Sequence, residues 1–127
     1  MIASDGGPRV LGEDVPHPRS YGNNARILGR YVREQTAFPL EEAIRRMTSL
    51  PAQTFQFKDR GILRQGAHAD IVLFDLAEIQ DPSHFSDPHH YAEGFHHVLV
   101  RGIPVIRHTK LTSARPGGPL KKQSKAE

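Results

Sequence analysis

Four side chains able to do chemistry lie close together near the start of the chain: Asp5, His17, Arg19 and Tyr21. Asp5 follows the short apolar run Met1-Ile2-Ala3-Ser4 and precedes Gly6 and Gly7, where a buried strand would meet a loop. A carboxylate held there can accept a proton from water and pass it on. The same residue also fits a plain turn-forming aspartate before glycine. Arg19 carries a planar, permanently charged guanidinium that can grip a carboxylate through two parallel N–H···O bonds, or can stabilise its own loop. His17 and Tyr21 flank it in the segment PHPRSYG, where they can shape a pocket or support the loop by packing.

A second cluster is built from imidazoles: His84, His89, His90, His96 and His97. Such a density of histidine suggests a metal centre. Yet no two of them stand at the i, i+4 spacing of a helical ligand pair, and no cysteine joins them. His89 and His90 fall in a Pro-rich loop and His97 opens a strand, so the cluster reads as loop and strand residues. Asp59 and Asp70 read as turn residues, one before Arg60-Gly61 and the other opening the apolar run Ile71 to Phe74.

The elements that would hold these residues are short. Pro8 to Gly22 reads as an irregular loop of functional length. Ile27, Leu28, Tyr31 and Val32 keep helical spacing, and Pro39 opens a second helix with Leu40, Ala43, Ile44 and Met47 on one face. Glu41 and Glu42 in its first turn and Arg45 and Arg46 near its end complement the helix dipole. Pro51 to Phe55 predicts one further helical turn. Lys58 to Gly61 turns into a strand at Ile62-Leu63, and Gly66 marks a turn before Ala69 to Asp75. The near-continuous apolar run there predicts a strand buried on both faces. His97 to Val100 and Ile103 to Ile106 flank Arg101-Gly102 as a hairpin. After His108 the apolar periodicity stops, which predicts an arm lying over another surface.

Length and composition bound what such a chain can be. Its 127 residues make one domain at most, burying roughly two thirds of the unfolded surface. Only 37% of residues are apolar, and 11 Gly and 10 Pro predict ordered segments joined by long loops. Much of the net charge of +3 sits in the tail, at Lys121, Lys122 and Lys125 against Glu127. No aromatic residue stands among those lysines and no basic stripe recurs, so the composition argues against nucleic-acid binding. The absence of cysteine excludes disulfides and thiolate metal sites within the chain. No apolar run approaches the roughly 20 residues needed to span a bilayer, and Met1 opens on IASDGG rather than on a charged segment with an apolar core. The default expectation is a soluble, cytoplasmic protein with no membrane partner.

The order MIASDG, PHPRSYG, LEEAIRRMTSLPAQTFQFKDRGILRQGAHADIVLFD and DPHHYAEGFHHVLVRGIPV resembles the C-terminal part of the N-acyl-D-amino-acid deacylases, or D-aminoacylases, a branch of the amidohydrolase superfamily. The resemblance runs from MIASDG to about ARPGGPLK. DRGILRQGAHADIVLFD alone is similar to many amidohydrolases, including dihydropyrimidinase-like and dihydroorotase-like enzymes, and PHPRSYG narrows it to the D-aminoacylase branch. The sequence departs from the branch at Asn23 and Asn24, where other members carry residues such as Thr, Phe and Pro.

This resemblance implies an α/β fragment: the last strand and helices of a metal-dependent TIM-like amidohydrolase barrel, plus the C-terminal strands of a small β-sandwich domain. A whole barrel takes roughly 250 residues. It implies that residues 1–57 end the barrel, 58–110 give the C-terminal share of the β domain, and 111–127 form a basic tail. It implies zinc in the full-length enzyme, with Asp5 as catalytic carboxylate and possible metal ligand, its other ligands lying outside this chain. It implies that Arg19 holds the α-carboxylate of an N-acyl-D-amino acid, with His17 and Tyr21 beside it, and that the missing N-terminal barrel is the chain's partner. Alternatives from the sequence are a hydantoinase-like or dihydropyrimidinase-like cyclic amide hydrolase, and a non-catalytic β-rich remnant or interaction module. The isolated chain is expected to be inactive and to expose apolar surface.

Overall fold

The computed structural model describes residues 1–120; the charges assigned above to Lys121, Lys122, Lys125 and Glu127 lie outside the described residues. The helical half comes first. Helix α1, Arg19–Arg26, starts immediately after Pro18, whose ring has already fixed φ at −51°. The expected loop therefore ends earlier than Gly22, and Arg19 and Tyr21 ride on a helix. Residues Ile27–Glu34 continue as a π-helix, in which the Gln35 N–H donates to the Arg30 carbonyl at 2.9 Å. Periodicity placed Ile27, Leu28, Tyr31 and Val32 on one stripe, and of these Leu28 and Val32 are buried while Tyr31 stays 37% exposed. Arg33 reaches from the same turn to the carbonyls of Leu76, Ala77 and Ile79 at 2.8, 3.0 and 2.7 Å.

Helix α2, Leu40–Met47, follows Pro39, and helix α3, Ser49–Thr54, follows it. Ala43 is fully buried on α2, and Glu42 on its outer side pairs with both Arg45 and Arg46 at 2.7 Å. These guanidinium hydrogen bonds hold the Glu42 carboxyl down at about 2, against an ordinary 4.5.

The sheet follows. Strands β1 (Ile71–Phe74), β2 (Phe95–Val100), β3 (Ile103–Arg107) and β4 (Lys110–Leu111) form a four-stranded antiparallel sheet in that order. Arg101 and Gly102 both take positive φ, 53° and 78°, which is the turn geometry that matches strand twist in a two-residue hairpin. Asp70 secures this turn: its Oδ1 accepts the Arg101 N–H at 2.8 Å, and its other oxygen meets Arg60. Burial raises the Asp70 pKa, but these two donors outweigh it and hold the carboxyl below its usual range.

Several expectations need correction. Met1 to Ser4 form no strand among the described residues; the Ile2 N–H donates to the Arg46 carbonyl at 3.2 Å, and a strand so short has no ladder to join. Ile62-Leu63 is an exposed loop, with Leu63 83% accessible. β1 is not buried on both faces: among the described residues it is an edge strand paired only with β2, and Val72 and Leu73 are 49% and 47% exposed. Just beyond His108 the expected arm begins as a strand of the sheet, because Leu111 and Lys110 pair with Ile106 and Arg107.

Helices and sheet meet around Ala25, Leu28, Val32, Ala43 and Ile79, with Phe38, Leu40, Ile44, Met47, Phe74, Leu76 and Phe95 packed around them. Ile79 lies between β1 and β2 in sequence and is fully buried against the helices. The loop that carries it thus joins the two halves.

Candidate functional site

Asp5 takes the left-handed conformation, φ 50°, which aspartate tolerates better than most residues. The reversal brings its carboxylate to Arg19 at the start of α1, with Oδ2 2.9 Å from Nη2. Asp5 is 86% and Arg19 42% exposed at the side chain, so solvent screens the pair and its stabilising effect is about 0–1 kcal/mol. The pair costs little to open, and both groups remain available to a third partner. A guanidinium presents five N–H groups, so Arg19 can hold Asp5 and still offer donors to a second carboxylate.

His17 sits just before the helix and accepts the Arg19 N–H on Nδ1 at 3.0 Å. It thereby satisfies a donor that the helix start leaves without an intrahelical partner, in place of the usual Ser or Asp. Its ring meets Phe85 edge-on at 4.8 Å. Tyr21 turns away from Asp5 toward the loop after Pro88: its hydroxyl lies 2.9 Å from His89 Nδ1 and 3.5 Å from the Val10 carbonyl. Arg19 and Tyr21 nevertheless line one cleft of about 310 Å³ with Ser4, closed on the far side by Val72, Phe95, Val98 and Ile106. The guanidinium and the apolar wall face one cleft, whereas Asp5 is not among its lining residues and meets it only through the pair with Arg19.

The other histidines disperse. His90 pairs with Asp87 at 2.7 Å, His96 with Glu78 at 3.0 Å, and His97 stacks edge-on with His108 at 4.8 Å. Among the described residues, no group of three or more His, Cys, Asp or Glu side chains is placed to hold a metal ion. Asp5 can supply one oxygen ligand, and a complete metal centre needs more donors than that. Asp59 serves its turn, accepting the His68 N–H on its carbonyl at 2.9 Å and meeting Arg64 at 3.3 Å.

The sequence singled out neither Asp81 nor the long-range role of His89, which it marked only as a loop histidine. Asp81 has a side chain only 5% exposed, bound to Arg26 Nε at 2.8 Å and to the N–H and hydroxyl of the fully buried Ser83. His89 bonds residues more than seventy positions away, Gly12 and Asp14. The bonds of Asp81 to Ser83 are local to an Asp-Pro-Ser turn, but its pair with Arg26 and the contacts of His89 arise only where the chain before and within α1 folds back onto the loop between β1 and β2.

The chain belongs to the amidohydrolase family, whose model matches residues 2–106. Within it the chain is 42% identical over 124 residues to the N-acyl-D-glutamate deacylase of Alcaligenes xylosoxydans xylosoxydans, covering 98% of this chain and 25% of that one. It superposes on a crystal structure of D-aminoacylase with a TM-score of 0.83 at 40% identity, over 90% of this chain and 23% of the other. On the N-acyl-D-glutamate deacylase from Bordetella bronchiseptica, solved with zinc and a phosphonate mimic of the tetrahedral intermediate, the TM-score is 0.70 at 46% identity, over 72% of this chain and 19% of that one. The chain spans about a quarter of the length of the relatives it matches.

Proposed function

We propose that this chain is the C-terminal portion of a zinc-dependent amidohydrolase that cleaves N-acyl-D-amino acids to a carboxylate and a free D-amino acid. The observation that carries the reading is the 42% identity over 98% of the chain with an N-acyl-D-glutamate deacylase. Residues 1–57 would close a TIM-like barrel, 58–110 would give the C-terminal strands of a small β-sandwich domain, and 111–127 would form a basic tail.

Zinc in such a site supplies water made nucleophilic near neutral pH, by lowering its pKa to about 7. The chain's own residues have narrower tasks. Asp5, at the end of the first segment and aimed at Arg19, accepts the proton of the attacking water and returns it to the leaving nitrogen as the C–N bond breaks. It can also ligate the metal. Arg19 holds the α-carboxylate of the substrate, fixing one substituent of the chiral carbon while the amide lies at the reacting centre. Because Asp5 and Arg19 touch, the substrate carboxylate must share the guanidinium with Asp5 or displace it. His17 holds the start of α1, and Tyr21 lines the cleft beside Arg19.

The test is a hybrid in which this chain replaces the matching quarter of the Alcaligenes D-aminoacylase. The reading expects zinc-dependent turnover of N-acyl-D-amino acids by the hybrid, little with the L enantiomers, and none from the isolated chain with added zinc. Turnover by the isolated chain would refute the division of the active site. A folded, zinc-loaded hybrid without D-specific turnover would refute the function.

A further inference from the structure

The loop between Asp5 and Arg19 is packed at its end, where Pro16 and Pro18 are buried, but its middle is open: Val10, Leu11 and Val15 are 60%, 47% and 83% exposed. An imidazole from far along the chain holds it. His89 Nδ1 accepts the Gly12 N–H at 3.1 Å and lies 2.9 Å from the Tyr21 hydroxyl, while Nε2 lies 3.0 Å from the Asp14 carbonyl. A carbonyl only accepts, so Nε2 must carry the hydrogen and Nδ1 must be the acceptor. In that tautomer the Gly12 N–H and the Tyr21 hydroxyl share the single Nδ1 lone pair, and Nε2–H donates to the Asp14 carbonyl. Neither nitrogen then has a lone pair left for a metal.

The three partners lie where they matter. Gly12 and Asp14 flank the tip of the loop, and Asp14 stands in the left-handed region at φ 59°. Tyr21 is two residues beyond Arg19 on α1, and its ring also meets His89 and Tyr91 edge-on, at 5.7 and 6.0 Å. One side chain therefore ties the loop after Asp5 to the helix that carries Arg19. We infer that His89 is a positioning residue of the proposed site: it fixes the 8–18 loop, and through Tyr21 the first turn of α1, so that Asp5 and Arg19 stand at ion-pair distance. The role of these two residues rests on the reading above; the anchoring by His89 does not.

The test is NMR on the 127-residue chain, comparing wild type, His89→Phe and His89→Asn. Phe keeps a ring against Tyr21 and removes both nitrogens, whereas Asn keeps an amide oxygen near the Nδ1 position. In the wild type the imidazole signals of His89 should report hydrogen on Nε2 alone. In H89F the Gly12 amide should exchange about tenfold faster, equivalent to about 1.4 kcal/mol, and the Arg19 guanidinium signal should shift toward its position in Asp5→Asn. The Gly102 amide, bonded to the Ala69 carbonyl at 2.9 Å in the sheet, should not change. H89N should recover part of the Gly12 protection. Hydrogen on Nδ1, or an H89F variant whose Gly12 exchange and Arg19 signal match wild type, would overturn the inference. Should Gly102 also lose protection in H89F, the outcome in H89N decides: recovery supports the anchor and no recovery overturns it. Failure of the catalytic reading would leave every one of these signals as expected.

Discussion

Replacing Gly22 by alanine sets two effects of opposite sign against each other. Gly22 lies inside α1, where alanine is the better helix former by about 1 kcal/mol. A Cβ built there would stand 1.7 Å from Asp81 Oδ1 and 2.1 Å from its Cγ, so the Asp81 carboxylate must leave its place. Leaving strips Ser83, which is fully buried, of the acceptor for its N–H and its hydroxyl. Each buried donor left without a partner costs about 1–3 kcal/mol. The lost pair with Arg26, itself 37% exposed, adds no more than about 1 kcal/mol after solvent screening. The sum is about 2–7 kcal/mol, and after the helix gain the net loss is about 1–6 kcal/mol. Urea unfolding followed by far-UV circular dichroism measures it, with Gly7→Ala as control because nothing lies within 4 Å of its Cβ position. A G22A midpoint equal to or above that of G7A would refute the placement of Asp81 against α1.

Further outcomes follow from the same contacts. Arg33→Ala removes the donor shared by the Leu76, Ala77 and Ile79 carbonyls and should destabilise the chain by about 1–3 kcal/mol in urea; Arg33→Lys should recover only part, since one ammonium lacks the planar fork. Glu42 has a lowered pKa, so its contribution to α2 is complete above its unfolded value of 4.5 and is lost as pH falls toward about 2. Helicity of the wild type should therefore drop between those limits more than that of Glu42→Gln, and equal acid profiles would contradict it. Ile79→Ala should cost about 2–5 kcal/mol, because the side chain is fully buried where the helices meet the sheet.

Legibility followed the range of the interactions. α2 was readable because Pro39, the acidic first turn and the basic last turn are local signals, and the Arg101-Gly102 hairpin because a glycine marks it. Met1 to Ser4 and Ile62-Leu63 failed as strands because an apolar run specifies extended backbone only where a neighbour completes its ladder. β1 is apolar on both faces yet has one strand beside it, so composition signalled burial that the described residues do not supply. Asp5 and Arg19 could be singled out from motif, but their 2.9 Å contact needed the left-handed turn at Asp5 and the early start of α1. His89 looked like one member of a histidine-rich stretch, and its bonds to Gly12 and Asp14 cross most of the chain.

The central claim is that Asp5 and Arg19 divide the work between proton transfer and substrate holding. In the hybrid enzyme, kcat and KM for an N-acyl-D-amino acid should be measured for Asp5→Asn and Arg19→Met with zinc content verified in each. Under this division of labour D5N should lose kcat by a factor of about 100 or more, the scale of general-base catalysis, with KM little changed. R19M should mainly raise KM and lose part of the preference for the D enantiomer. A D5N hybrid that keeps its zinc and turns over at the unmodified rate would contradict it.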